Sequence, residues 1–314
     1  MSAAPFPPLE LANRVGSLEG AEDPYAFYDQ VGRRTREDIV AALPAEWSFE
    51  GRSVLDFGCG AGRTLRHFLP ETASAEVWGC DIDADSVAWI ESELSPPLHV
   101  FRNGPAPPLD VESGRFDLIW ALSVFTHLVE TWSAWLLELH RVLKPGGILL
   151  ATFMGEGMSR PMAGEDWVPD RVGMNVLRYG QGWELGGPMV FHSPWWIREH
   201  WGRAFEVLHL EGKGFATIPE AGQGVVVLRR LDVDLEPADL ERIDPVEPRE
   251  VDALLHGIVQ SRREIEELRR LSEHMTSENA QLEARLATFE GSRSWALTKP
   301  LRLAGERLRA RRGG

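Results

Sequence analysis

The sequence predicts an α/β protein, a doubly wound, mostly parallel seven-stranded sheet followed by a C-terminal coiled-coil helix. Three observations predict it. Short, nearly continuous apolar runs alternate with helical stretches, as strands covered on both faces do. The first run ends in a glycine cluster and the second in an acid, the order of a ligand-binding βαβ unit. Beyond residue 250 the pattern changes to a seam of residues spaced alternately by four and three.

The elements follow in order. Residues 1–23 are rich in Pro and Ala and read as irregular, and Asp23-Pro24 is a helix start with proline at the first helical position. A helix is expected from Pro24 to Leu43. The strands are Ser53–Phe57, Val77–Cys80, His99–Arg102, Phe116–Ala121 and Ile148–Phe153, with helices Arg63–Phe68, Asp83–Leu94 and Thr131–Leu143 between them. Lys144-Pro145-Gly146-Gly147 closes the last of these helices. Residues 154–192 lose the regular pattern and read as a lid or substrate insertion. Ser193 caps a helix to Trp201, and strands Phe205–Leu210 and Gly224–Arg229 complete the sheet, so the domain is expected to span 24–230.

Residues 231–250 hold eight acidic residues, two arginines and three prolines, the composition of an extended linker. Over 251–290 the seam runs Leu254, Ile258, Ser261, Ile265, Leu268, Ser272, Met275, Asn279, Leu282, Leu286, Phe289, eight of the eleven positions apolar. Asn279 falls at an a position, where a buried amide pair selects two parallel strands. The alternative is one amphipathic helix packed back on the domain. The remainder, 291–314, includes a stretch from Lys299 to Arg312 with six basic residues and interspersed leucines, a basic amphipathic surface if helical.

A chain of 314 residues with 43% hydrophobic and 26% charged residues has the composition of a globular protein with a sizeable core. A net charge of −15 repels phosphate backbones and argues against general nucleic-acid binding. Two cysteines, Cys59 and Cys80, allow neither a disulfide framework nor a four-cysteine zinc site, which suits a reducing compartment. Residues 1–9 lack the basic region of a signal peptide, and no run approaches the ~18 apolar residues of a spanning helix. A soluble, cytoplasmic protein is expected.

The chemistry gathers at Val54–Arg63, VLDFGCGAGR, a glycine-rich turn between strand and helix. Arg63 occupies the place of the third glycine in the dinucleotide fingerprint, which weakens a dinucleotide assignment. The second strand ends in Asp81, where the paired hydroxyls of a ribose need an acceptor, so turn and acid imply an adenosine-type ligand.

With Val54–Arg63, Val77–Asp83, Phe116–Leu128 (FDLIWALSVFTHL) and His140–Thr152 (HRVLKPGGILLAT) in this order, the chain resembles the class I S-adenosylmethionine-dependent methyltransferases, over about residues 24–230. The resemblance implies a Rossmann-like fold with S-adenosylmethionine as cofactor and no metal. It implies that Gly58, Gly60 and Gly62, with the flanking Cys59 and Arg63, line the methionine part, and that Asp56 orients the loop and reaches the ammonium. Asp81, followed by Ile82, would bind the ribose, Asn103 and Gly104 would lie at the adenine, and Ser123 would border the sulfonium. Cys59 also reads as a small packing residue, and Asp83 as a helix N-cap rather than a ligand.

Methyl transfer requires an aligned acceptor and, for an oxygen acceptor, a base near neutral pKa. His127, after the fourth strand, is the first candidate, its alternative being a hydrogen-bonded structural histidine. His192, beside the lid, is the second. His140, His67 and His200 fall on predicted helices and read as structural. Trp183, Trp195 and Tyr179, with Trp167, Trp196 and the acids Glu156, Glu165 and Asp166, suit the stacking and hydroxyl pairing of a sugar ring, although tryptophans also fill cores.

The string from Gly291 to Arg302, GSRSWALTKPLR, resembles a segment of bacterial surface-polysaccharide proteins in which methyltransferase and glycosyltransferase modules are joined by coils. It implies O-methylation of a sugar in a cell-surface glycan or its precursor. A homodimer or a glycosyltransferase partner would form through the coil, and the basic tail would make peripheral contact at the inner membrane face. One departure is Gln223-Gly224, where family members often read Gln-Asp. Two other readings stand beside this one. The first is a natural-product small-molecule methyltransferase, and the second a non-catalytic scaffold that binds the cofactor and recruits a glycosyltransferase.

Overall fold

The computed structural model describes residues 4–14, 18, 20–182, 185–215, 222–292, 295 and 297. The chain divides into two compact units, Met1–Ile258 and Val259–Gly314. In order, the elements are α1 (Leu9–Arg14), α2 (Pro24–Ala42), β1 (Ser53–Phe57), a 3₁₀ segment (Leu65–Ala73), β2 (Glu76–Asp81), α3 (Ala84–Glu93), β3 (His99–Arg102) and β4 (Phe116–Ala121). They continue with α4 (Trp132–Val142), β5 (Leu143–Phe153), α5 (Glu156–Met158), β6 (Met174–Leu177), β7 (Met189–His192), α6 (Pro194–His200), β8 (Phe205–Phe215), β9 (Gln223–Arg230), α7 (Pro237–Glu241) and α8 (Pro248–Glu290).

The first unit is built on a seven-stranded sheet in the order β3-β2-β1-β4-β5-β9-β8. The first five of these strands pair in parallel, while β9 runs antiparallel to both β5 and β8. Chain order reverses between β1 and β4, which opens a crevice at their carboxyl ends, the position where ligands bind in such sheets. Every residue of β1 and β4 is buried, as their unbroken apolar runs require. Two apolar layers cover the sheet, one containing Phe57, Trp135 and Phe205, the other Val54, Phe68 and Trp120.

Local chemistry explains the element starts. The Asp23 side chain accepts from the N–H groups of Tyr25 and Ala26, and Ser193 Oγ accepts from Trp196 N–H. The expected helix Arg63–Phe68 is instead a 3₁₀ segment, Leu65–Ala73, that contains Pro70. The Lys144–Gly147 turn becomes part of β5, which starts directly at Leu143. There Lys144 Nζ donates to Asp117 at 2.6 Å across a register shift between Phe116 and Leu118.

The insertion holds two strands that four-residue runs did not reveal, the antiparallel pair β6 and β7. Met154, Val172, Met189 and Phe191 form its own small core. It is tied to the sheet ends by Val190 N–H donating to Thr126 O and His192 N–H donating to Met154 O, both at 2.8 Å.

The expectation of an extended acidic linker over 231–250 gives way to folded chain. Helix α7 buries Leu240 completely, and Arg203 donates to the carbonyls of Asp239, Leu240 and Arg242. His200 bonds the Leu240 carbonyl through Nδ1 at 2.6 Å and Glu250 through Nε2 at 2.9 Å, the two side chains only 3% and 4% exposed. The first unit therefore closes near Ile258 rather than Arg230. The charge count does not reveal this, because the partners of the acidic stretch lie far along the chain, on α4, on α6 and in the turn after α6.

Glu250→Ala should lower the unfolding free energy in urea by about 1–3 kcal/mol, since it leaves the buried His200 Nε2 without its hydrogen-bond partner. A loss under about 1 kcal/mol would show that the pair does not hold the segment in place.

In the second unit, α8 continues as a single helix to Glu290. No helix among the described residues is long and apolar enough to cross a membrane. The basic stretch Lys299–Arg312 lies outside the described residues.

Candidate functional site

The loop after β1 takes a shape that only glycine accepts easily, with φ of +83° at Gly58, +51° at Gly60 and +77° at Gly62. A Cβ on Gly58 would stand 2.5 Å from a methyl of Val124, so the loop after β1 and the loop after β4 meet there. Helix α2 braces the loop from the other side. Tyr28 donates to Ala61 O at 3.1 Å, and a Cβ on Gly32 would lie 2.1 Å from Arg63 O. Sequence reasoning did not single out Tyr28, Gly32 or Val124, because their role depends on contacts far along the chain.

The backbone donors of this loop turn inward. The N–H groups of Gly58 and Cys59 donate to Cys80 O at 2.8 and 3.0 Å, Gly62 N–H donates to Cys59 O at 3.0 Å, and Gly60 N–H donates to Asp81 Oδ2 at 2.7 Å. A pyrophosphate needs outward N–H groups at a helix N-terminus. Here four loop donors are used internally, and the chain leads into a 3₁₀ segment.

The charge beside the loop is negative. Asp56 is buried at the end of β1, and burial pushes its carboxyl up to about 7, with the Asp81 charge adding and Arg63 opposing. Burial also raises Asp81, against the pull of its backbone donors. Its Oδ1 accepts from Asp83 N–H at 2.8 Å and its Oδ2 from Gly60, which leaves each oxygen a lone pair for a neighbouring hydroxyl.

Arg63 lies near the Asp56 carboxyl, with its Nε unpartnered among the described residues. Burial lowers its pKa. Cys59 turns its thiol into the core, 3.1 Å from where a Cβ on Gly79 would sit, so it contributes backbone and packing only. Asp83 caps α3, accepting from Asp85 N–H and Ser86 Oγ, and takes an ion pair from Arg14 of α1.

At the end of β3, Asn103 N–H donates to Asp81 O at 3.1 Å, and Asn103 Oδ1 is buried without a partner among the described residues, an acceptor available to an amine. Gly104 and Ile82 are exposed beside it. Past β4, Ser123 has φ of +60°, donates its N–H to Thr152 Oγ1 at 2.7 Å and accepts from Gln223 Nε2 at 2.6 Å. A Cβ on Gly224 would lie 2.5 Å from the Phe153 ring, so an acid does not fit there.

His127 lies in the same loop after β4. Its Nδ1 donates to Pro188 O at 2.7 Å, which in the neutral ring puts the lone pair on Nε2. Burial lowers its pKa, so it is neutral at physiological pH.

Other candidates are withdrawn from the site. His192 is completely buried between Trp196 and Trp201, and burial drives its pKa down to about 3, so it cannot exchange protons with a bound acceptor. Trp195 and Trp196 are core residues; Trp195 Nε1 donates to Pro169 O, and Trp196 stacks on His200 at 4.2 Å. They fill the core rather than offer a face to a sugar. Tyr179 is exposed, at 68%, and donates its hydroxyl to Glu130. Trp183 lies outside the described residues.

These features fit S-adenosylmethionine better than a dinucleotide: inward loop donors with the buried Asp56 and half-buried Asp81 carboxylates suit a cationic ligand, Asp81 a ribose, and Asn103 Oδ1, unpartnered among the described residues, an adenine amine.

Residues 55–151 match the family model of a methyltransferase domain. The chain is 28% identical over 147 residues to a malonyl-[acyl-carrier protein] O-methyltransferase of Enterobacter lignolyticus, covering 47% of this chain and 55% of that one. It is 30% identical over 144 residues to a ubiquinone biosynthesis O-methyltransferase of Cereibacter sphaeroides, covering 44% and 56%. The chain thus spans little more than half the length of these curated relatives. Among solved structures it is similar to an S-adenosylmethionine dependent methyltransferase from Mesorhizobium loti, with TM-score 0.46 and 19% identity over 68% of this chain and 100% of that one.

Proposed function

We propose, from the premise that residues 55–151 carry a methyltransferase domain, that this chain is an S-adenosylmethionine-dependent O-methyltransferase acting on a sugar hydroxyl of a cell-surface glycan or its precursor. The observation that carries the cofactor assignment is the pair of carboxylates, buried Asp56 and half-buried Asp81, around a loop whose N–H groups turn inward. When bound, the cofactor supplies an electrophilic methyl group on a positively charged sulfur. Asp56 and Arg63 would hold its amino-acid end, Asp81 its ribose, Asn103 and Gly104 its base, and Ser123 would border the sulfur.

His127 would accept the acceptor hydroxyl's proton at Nε2, because Pro188 holds Nδ1 as the donor. The sugar is supported by the exposed Tyr179 ring beside the Glu130 carboxylate, a stacking face next to a hydroxyl acceptor, and by the resemblance of the C-terminal string. A second reading, a lipophilic phenol or acid as acceptor, is favoured by Met162, Val168 and Leu185, all exposed on the insertion.

Isothermal titration with S-adenosylmethionine and S-adenosylhomocysteine should show binding, weakened at least about tenfold, or ~1.4 kcal/mol, by Asp81→Ala. No binding to either compound would overturn the proposal. Release of S-adenosylhomocysteine is then followed with oligosaccharide and nucleotide-sugar acceptors against lipophilic phenols and acids. Turnover confined to the second set would replace the sugar reading, and binding without turnover of any acceptor would favour the scaffold.

A further inference from the structure

Beyond Ile258, α8 carries a stripe of large apolar side chains that stay exposed among the described residues: Ile265, Leu268, Met275, Leu282, Leu286 and Phe289 are 48–62% exposed, the Phe289 ring also meeting that of Trp295 edge-on at 5.0 Å. With Ser272 and Asn279 between them they recur at alternating spacings of three and four, so along a helix they form one continuous seam. Covering such a seam removes apolar surface from water at every turn.

We propose that residues 261–289 form a parallel, in-register, two-stranded coiled coil with a second copy of this chain, over ~44 Å of helix at 1.5 Å per residue.

Self-complementarity identifies the occupant. Ile265, Ser272, Asn279 and Leu286 occupy a positions, and Ser261, Leu268, Met275, Leu282 and Phe289 occupy d positions. In a parallel, in-register pair each of these meets its own counterpart. Asn279 then bonds the Asn279 amide of the second copy, Ser272 meets Ser272, and the remaining layers are apolar except at Ser261. An antiparallel pair would set Asn279 against Leu268 or Met275, burying an amide against hydrocarbon.

The flanking positions agree. Glu264 faces Arg269 of the second copy and Arg285 faces Glu290, both opposite in charge. Glu278 facing Glu283 is the one like-charged pair, and His274 stands 3.6 Å from Glu278 on its own helix. A different protein could cover the stripe, but it would have to reproduce this pattern of polar layers, which a second copy supplies by symmetry.

The test uses the full chain. Sedimentation velocity at tens of micromolar should give twice the 35.1 kDa mass of one chain. Asn279→Cys, oxidised mildly, should form a disulfide-linked dimer at least tenfold faster than the parent, whose Cys59 and Cys80 are buried. The double variant Leu268→Asp, Leu282→Asp should sediment as a monomer while its tryptophan-monitored unfolding stays cooperative. A monomeric parent overturns the proposal, as does a trimer. A dimer whose Asn279→Cys form does not cross-link overturns the parallel, in-register arrangement.

Discussion

His127→Gln should lower kcat by roughly 10²- to 10⁴-fold, the usual contribution of a positioned general base, with the affinity for S-adenosylmethionine left within about threefold. Glutamine can still donate to the Pro188 carbonyl, so the link to the insertion survives while the basic nitrogen is lost. Because burial holds His127 below its ordinary value, the parent's kcat should rise with pH on an acid limb below about 6.5 and level off above it. The glutamine variant should lack that limb. An unchanged kcat on a hydroxyl acceptor would remove His127 from the chemistry, and a fall caused by weaker cofactor binding would make it a structural residue. Steady-state kinetics beside calorimetry separates these outcomes.

Asp56→Asn should stabilise the cofactor-free protein at pH 8 by up to about 4 kcal/mol while weakening S-adenosylmethionine binding. The sign follows from the raised folded-state value, about 7 against roughly 3.9 for an unfolded aspartate. A carboxyl raised on folding gives stability that is full below about 4 and is lost as pH climbs through 7, when the buried group must ionise. Asparagine never ionises and is spared that loss. A cofactor ammonium compensates the same charge, so parental affinity should fall about tenfold for each pH unit below 7, and the variant's should not. Urea unfolding and calorimetry at pH 5.5, 7 and 8.5 measure both effects. Parallel pH dependences in parent and variant would show that Asp56 is not the titrating group.

The cofactor half of the site was legible in the sequence because it is local. Val54–Arg63 encodes strand, turn and glycine conformations within ten residues, and Asp81 marks the end of the next strand. The acceptor half was not. His127, after the fourth strand, and His192, beside the lid, were both open to a catalytic reading in sequence, yet one bonds a carbonyl 61 residues away and the other lies closed among tryptophans. Trp195 and Trp196 read equally as stacking faces or core, and only packing decided.

By itself, then, the sequence determined the alternation of strand and helix, the caps at Asp23, Asp83 and Ser193, the glycine loop with its acid, and the long seam of α8. Each is set by steric and hydrogen-bonding preferences acting within one or two turns of chain. The tertiary structure alone decided that the loop donors turn inward to Cys80 and Asp81, that Pro188 fixes the His127 tautomer, and that residues 231–258 fold onto the first unit through His200, Arg203 and Leu240. These depend on which distant groups share a low-dielectric interior, where an unpaired donor or charge costs several kcal/mol and partners are fixed by the whole packing.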